Sequence, residues 1–129
     1  MTDIRPPRPT DSELAILRVL WQRGPSTVRD VQEELIRHSP TGYTTVLKML
    51  QIMTEKGLVV RDEEQRAHIY EARQGEQKTQ RQLLGDLADR AFGGSAARLA
   101  MQALSGRRAS AEELSEIREL LDRLEGEGK

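Results

Sequence analysis

TGYTTVLKMLQIMTEKG, residues 41 to 57, places Val46, Met49, Leu50 and Met53 at intervals of three and four, the spacing of one buried stripe on a helix. Its first turn nevertheless holds Tyr43, Thr44 and Thr45. Aromatic and β-branched residues lose side-chain freedom against a preceding helical turn and are mediocre helix formers. A helix that opens on them needs a reason other than its own stability.

The flanking sequence supplies the setting. Upstream, TDSELAILRVLWQRG carries a capping box in Thr10 and Glu13 and an apolar stripe in Leu14, Leu17, Leu20 and Trp21, before Gly24 and Pro25 end the helix. Ser26 is positioned to cap a second helix, STVRDVQEELIRH, whose Val28, Val31 and Leu35 share a face, and Ser39 to Gly42 then turn the chain. Downstream of Gly57 the runs Leu58 to Val60 and His68 to Tyr70 flank a polar stretch, Arg61 to Arg66, in the manner of a hairpin. With no Asn-Gly pair there, the connection should exceed two residues. From Gly75 onward only helical periods appear. Leu84, Leu87, Ala88 and Ala91 mark one helix, Ala96 to Leu104 a second, and a capping box in Ser110 and Glu113 opens a third with Leu114, Ile117, Leu121 and Leu124 at 3-4-3 spacing.

Three helices, a hairpin and three more helices make the chain mainly α with a small β-hairpin. The layout is that of an N-terminal winged helix-turn-helix followed by a C-terminal helical region. Residues 1 to 9, with three of the five prolines, read as an extended leader, 10 to 74 as the winged helix and 75 to 129 as the helical region. The awkward start at Tyr43 then has a purpose. The N-terminal end of a recognition helix meets base edges and phosphates, and Thr brings a hydroxyl and a methyl, Tyr a ring with a hydroxyl tip. Lys48, one turn further, can reach phosphate or base.

Composition narrows the classes. Without cysteine there is no disulfide, no thiol chemistry and no Cys-based zinc or copper site. No apolar run approaches the roughly 18 residues of a membrane span, and the first thirty residues lack a signal-peptide pattern, so the expected location is the cytoplasm without membrane insertion. Net charge is -1, with 11 Lys/Arg against 11 Asp/Glu up to residue 74 and 9 against 10 beyond it. A nucleic-acid partner would therefore need cations gathered on one surface. His38 and His68 stand apart, and acidic pairs such as Glu33-Glu34 and Glu112-Glu113 fall on polar helix faces. Neither pattern supports a metal, a cofactor or catalysis.

The strings TDSELAILRVLWQRGPSTVRDV (Thr10 to Val31), YTTVLKML from Tyr43 and EKGLV from Glu55 closely resemble the penicillinase-repressor family of BlaI/MecI-type regulators, with the CopY-type copper repressors as cousins. FGGS at Phe92 and SAEEL at Ser110 resemble its C-terminal part. The resemblance implies a transcriptional repressor that binds a palindromic double-stranded operator as a homodimer. Residue by residue it implies DNA contacts at Tyr43, Thr44, Thr45 and Lys48, a wing-tip phosphate contact at Arg66, and weaker backbone contacts at Thr27 and Arg29. The C-terminal leucine stripes, Leu84, Leu87 and Ala91 with Leu114, Ile117, Leu121 and Leu124, are the expected dimer interface, because so few helices cannot bury their own leucines.

Two departures bear on how such a repressor would be released. Family members cut on the signal of a membrane-bound sensor protease are cleaved at an Asn-Phe pair, whereas this chain has no Asn and its single Phe precedes Gly93. The copper-responsive cousins bind metal through cysteines, which are absent. The bland readings stay in view: Lys48 as a solvated lysine, Arg66 as a solubilising tip beside Asp62, Glu63 and Glu64, Trp21 and Tyr70 as core. The alternative from another class is a winged-helix protein-interaction module without sequence-specific DNA binding.

Overall fold

The computed structural model describes residues 8 to 128, so all but the end of the proposed leader lies outside the described residues. The elements follow the order read from the sequence: α1 (Asp11–Arg23), α2 (Val28–Leu35), α3 (Tyr43–Lys56), β1 (Val59–Asp62), β2 (Ile69–Ala72), α4 (Glu76–Ala91), α5 (Ala96–Gly106) and α6 (Ala111–Glu127). The chain divides into two compact units, one running to Leu83 and one starting at Leu84, and the division falls inside α4, downstream of the change of pattern at Gly75.

Helix α1 begins on the anticipated box: Glu13 N–H donates to the Thr10 hydroxyl at 3.2 Å, and Thr10 N–H donates to the Glu13 carboxylate at 2.9 Å. Two of the donors that a helix start leaves open are thereby met. Its buried face is Glu13, Ile16, Leu17 and Leu20, so the stripe is rotated relative to the expected one, and Leu14 is only half-buried. The cause is an ion pair across the fold. Lys56, in the last turn of α3, places Nζ 2.8 and 3.0 Å from the two Glu13 oxygens and allows a carboxylate to sit where an aliphatic residue would be expected. Trp21 packs half-buried against the core while its indole N–H donates to the Gln74 carbonyl at 3.0 Å.

The cap of α2 is Thr27 rather than Ser26. Ser26 is fully buried, and its backbone exchanges two hydrogen bonds with Tyr70, at 2.9 and 2.8 Å, as a single-residue bridge beside the hairpin. Held in that extended pairing, Ser26 leaves the capping position to the next residue. Thr27 and Asp30 form the reciprocal box there, each bond 3.1 Å.

Gly57 ends α3 in the left-handed region at φ 82, a conformation that glycine adopts without a Cβ penalty, and turns the chain directly into β1. β1 and β2 pair antiparallel with Val59 opposite Ala72 and Asp62 opposite Ile69, leaving residues 63 to 68 as the loop. The strands begin and end later than the apolar runs suggested, because Arg61, Asp62, Glu71 and Ala72 continue the ladder. One core unites these parts: Ile16, Leu17 and Leu20 of α1, Val28 and Val31 of α2, Val46, Leu50 and Met53 of α3, with Leu58, Val59 and Tyr70.

In the second unit α4 closes at Gly93 and Gly94, both at positive φ, where Gly94 N–H donates to the Ala88 carbonyl at 2.8 Å. The Ser110 and Glu113 box opens α6 as read. Neither α5 nor α6 buries a residue.

Burial pushes the Glu13 carboxyl up, but hydrogen bonds from Lys56 and Thr10 outweigh it and hold the group below its ordinary value of 4.5. A depressed folded value contributes stability above the unfolded pKa and loses it as pH falls through the folded one. Lys56→Met should therefore cost about 1–3 kcal/mol at neutral pH, the lower range because the Lys56 side chain is 31% exposed. Urea denaturation should show the difference from wild type shrinking below the ordinary carboxyl value; a difference that stays constant with pH would assign the loss to packing instead.

Candidate nucleic-acid interface

Helix α3 is gripped along one side. Val46, Leu50 and Met53 are completely buried, and the opposite ridge of Thr44, Lys48, Gln51 and Glu55, spaced four, three and four, is exposed along its length. Tyr43 and Thr45 flank that ridge at its start and are exposed too. The first turn carries no side-chain cap, since Gly42 stands at the N-cap where α1, α2 and α6 have Thr or Ser. Its first N–H groups are without a side-chain cap, and all three hydroxyl-bearing residues are exposed.

The remaining site candidates are scattered over neighbouring elements. Arg29 is exposed in the first turn of α2, and Arg66 is exposed in the hairpin loop. Thr27 is only half-exposed, and its hydroxyl oxygen already accepts from Asp30, so a ligand contact there would compete with the cap. The start of the loop is acidic and internally tied: Asp62 accepts from Glu64 N–H at 2.9 Å. Arg61 is committed as well, hydrogen-bonded to Tyr70 and paired with Glu63 at 2.6 Å, which raises its pKa above the ordinary arginine value.

Some of the cations are paired. Lys56 serves Glu13; Arg23 serves Asp30 at 3.1 Å and Glu34 at 3.9 Å; Arg37 also approaches Glu34. By contrast Arg29, Lys48 and Arg66 form no ion pair with any described residue. The cations left unneutralised thus include three of those singled out from the sequence.

An open hollow of about 680 Å³ runs between α1, the end of α2 and the start of α3, with Val19, Leu35 and Met49 on its floor and Arg18, Glu34 and His38 at its rim. It brings no two carboxylates together. Among the described residues no three of His, Asp and Glu gather in a way that could hold a metal ion. Nor, among the described residues, is any helix long and apolar enough to cross a membrane.

The C-terminal candidates are laid bare. Leu84, Leu87, Leu114, Leu121 and Leu124 are exposed, Leu124 by 53%, Ala91 is exposed and Ile117 half-buried. Met101, at 69%, and Leu104 add to the apolar surface; neither was singled out from the sequence, although both lie in a helix read from its apolar residues.

A buried three-helix core, a two-stranded wing and an outward third helix define a winged helix-turn-helix protein. A family model described as the penicillinase repressor matches residues 9–123. The chain belongs to that family. The transcriptional regulator BlaI of Mycobacterium tuberculosis, in two strains, is 43% identical over 61 residues, covering 46% of this chain and 44% of the relative, so the chain matches less than half of the relatives' length. The solution structure of the DNA-binding domain of the repressor BlaI is similar with a TM-score of 0.50 and 26% identity, over 56% of this chain and 88% of that domain. A solution structure of Bacillus licheniformis BlaI in monomeric form with the blaP half-operator matches with a TM-score of 0.49 at 26% identity and the same coverage.

Thr27→Ala separates cap from contact. Loss of the box should lower stability by about 1 kcal/mol, read as a fall in thermal midpoint without any DNA present. A midpoint equal to that of wild type would free Thr27 from its structural role.

Proposed function

We propose that the protein is a transcriptional repressor that binds a two-fold DNA operator as a homodimer, with no catalytic step of its own. The observation that carries the reading is the α3 surface: the first turn of Tyr43, Thr44 and Thr45, and Lys48 after it, stand outward from a core that holds the rest of the helix rigid. Likeness to the DNA-binding domain of BlaI supports it. In this reading α3 enters the major groove, Thr44 and Thr45 offer hydroxyl and methyl groups, and Lys48 binds phosphate or a base edge. Arg66 approaches the backbone from the wing and Arg29 from α2. The alternative of a winged-helix interaction module loses ground because the exposed turn is polar and uncapped rather than apolar.

Dimerisation follows from the bare leucines of the second unit. Leu84, Leu87, Ala91, Leu114, Ile117, Leu121 and Leu124 would be covered by a second copy, and two recognition helices would then require half-sites separated by about 10 bp or a multiple of it. Binding to chromosomal DNA places the protein in the cytoplasm. Release through a membrane-bound sensor protease would need a cut elsewhere than at an Asn-Phe pair, which this sequence lacks.

A gel-shift titration against the region upstream of the protein's own gene, at two salt concentrations, tests the DNA reading. Thr44→Ala and Lys48→Ala should each weaken binding. If Lys48 holds phosphate, its loss lowers the salt slope by about one and acts on all sequences alike; if it holds a base, specificity relaxes instead. Unchanged binding by both variants would favour the interaction module. Separately, Leu121→Glu should shift sedimentation from two copies to one, and a wild type that already sediments as one copy would refute the dimer.

A further inference from the structure

We propose that Gln51 reads an adenine in the operator half-site, one base-pair step from the base approached by Lys48. This deepens the DNA-binding reading and rests on it. Gln51 lies on the exposed ridge of α3, three residues after Lys48 and seven after Thr44, nearly opposite the buried Met53 and about 100° around the helix from Leu50. Its amide makes no hydrogen bond with any described residue.

The chemistry of the amide selects the base. A carboxamide presents one acceptor and two donors on a flat head, and adenine alone offers a matching donor and acceptor, N6 and N7, on its major-groove edge. Guanine offers two acceptors there, and would be met better by the Lys48 ammonium. Along the helix axis Lys48 and Gln51 are about 4.5 Å apart at 1.5 Å per residue, close to the rise of about 3.4 Å between base pairs. Neighbouring pairs are therefore the natural targets of the two side chains. Glu55, next on the ridge, bounds the footprint. A carboxylate one turn beyond Gln51 repels phosphate, so the DNA strand backbone cannot run along this part of α3 and the groove floor remains for Gln51 to contact.

The test uses the full chain and a pool of duplexes with a randomised core, sequencing what is retained by wild type, Gln51→Ala and Gln51→Lys. Wild type should select an A·T pair in each half-site, beside a G·C pair where Lys48 holds a base rather than phosphate. Gln51→Ala should flatten the adenine position alone and weaken binding to the selected duplex by about 5- to 150-fold. Gln51→Lys should replace adenine by guanine at that same position. Placing 7-deazaadenine there, which lacks the N7 acceptor, should weaken wild type and leave Gln51→Ala unaffected; circular dichroism of both variants should match wild type. A Gln51→Ala preference identical to wild type at every position would overturn the assignment while leaving DNA binding intact. A wild type that retains no duplex would instead overturn the repressor reading on which it stands.

Discussion

Val46, Leu50 and Met53 sit at zero exposure on one side of α3, and the direction of the helix's outer face follows from that anchorage. A helix buried along one stripe has its opposite ridge fixed in direction, so Thr44, Lys48, Gln51 and Glu55 can be aimed only where the core lets them point. The core closes from three sides: α1 through Ile16, Leu17 and Leu20, α2 through Val28 and Val31, and the wing through Val59 and Tyr70. Lys56 then fastens the far end of α3 to the first turn of α1 through Glu13. The outer turn of α3, by comparison, is left without a side-chain cap, and its low helix propensity is tolerated because packing, not local preference, forms the helix.

How far the sequence disclosed this depends on the range of each interaction. Capping boxes at Thr10 and Ser110 were legible because three residues suffice to write them. The box at Thr27 was not, since the competing candidate Ser26 is removed by a backbone pairing with Tyr70, 44 residues away in the chain. Glu13 was legible as a cap and illegible as a core residue: its burial depends on Lys56, and a carboxylate inside a stripe has no signature until its partner is placed. The strands were found from their apolar runs, but their ends were not, because Arg61 and Glu71 join the ladder by hydrogen bonding rather than by hydrophobic character. For the candidate site, the outward first turn of α3 was legible from poor helix formers in a helical frame. Gln51 had no such signal, because a polar residue in mid-helix reads as solvent-facing until the ridge it stands on is known.

The two units stand in contrast. Eleven residues of the first form one continuous apolar cluster, whereas α5 and α6 leave Met101, Leu104, Leu120, Leu121 and Leu124 to solvent. Exposed apolar residues in such number are what the proposed dimer would cover. The charge distribution draws a parallel contrast. Within the winged unit Arg23, Arg37, Lys56 and Arg61 are matched by carboxylates, whereas Arg29, Lys48 and Arg66 are among the cations without an ion pair to any described residue. In the proposed reading, a chain with near-zero net charge would bind DNA through a few contacts, at modest non-specific affinity.

Trp21 is the only tryptophan in the chain, and its indole N–H is tethered to the Gln74 carbonyl beside the core of the winged unit. Its fluorescence accordingly belongs to that unit alone. Denaturation followed by emission would trace the melting of the winged helix, while far-ultraviolet ellipticity would trace the helices of both units together. The fold thus contains its own optical means of asking whether the two units come apart together or one at a time.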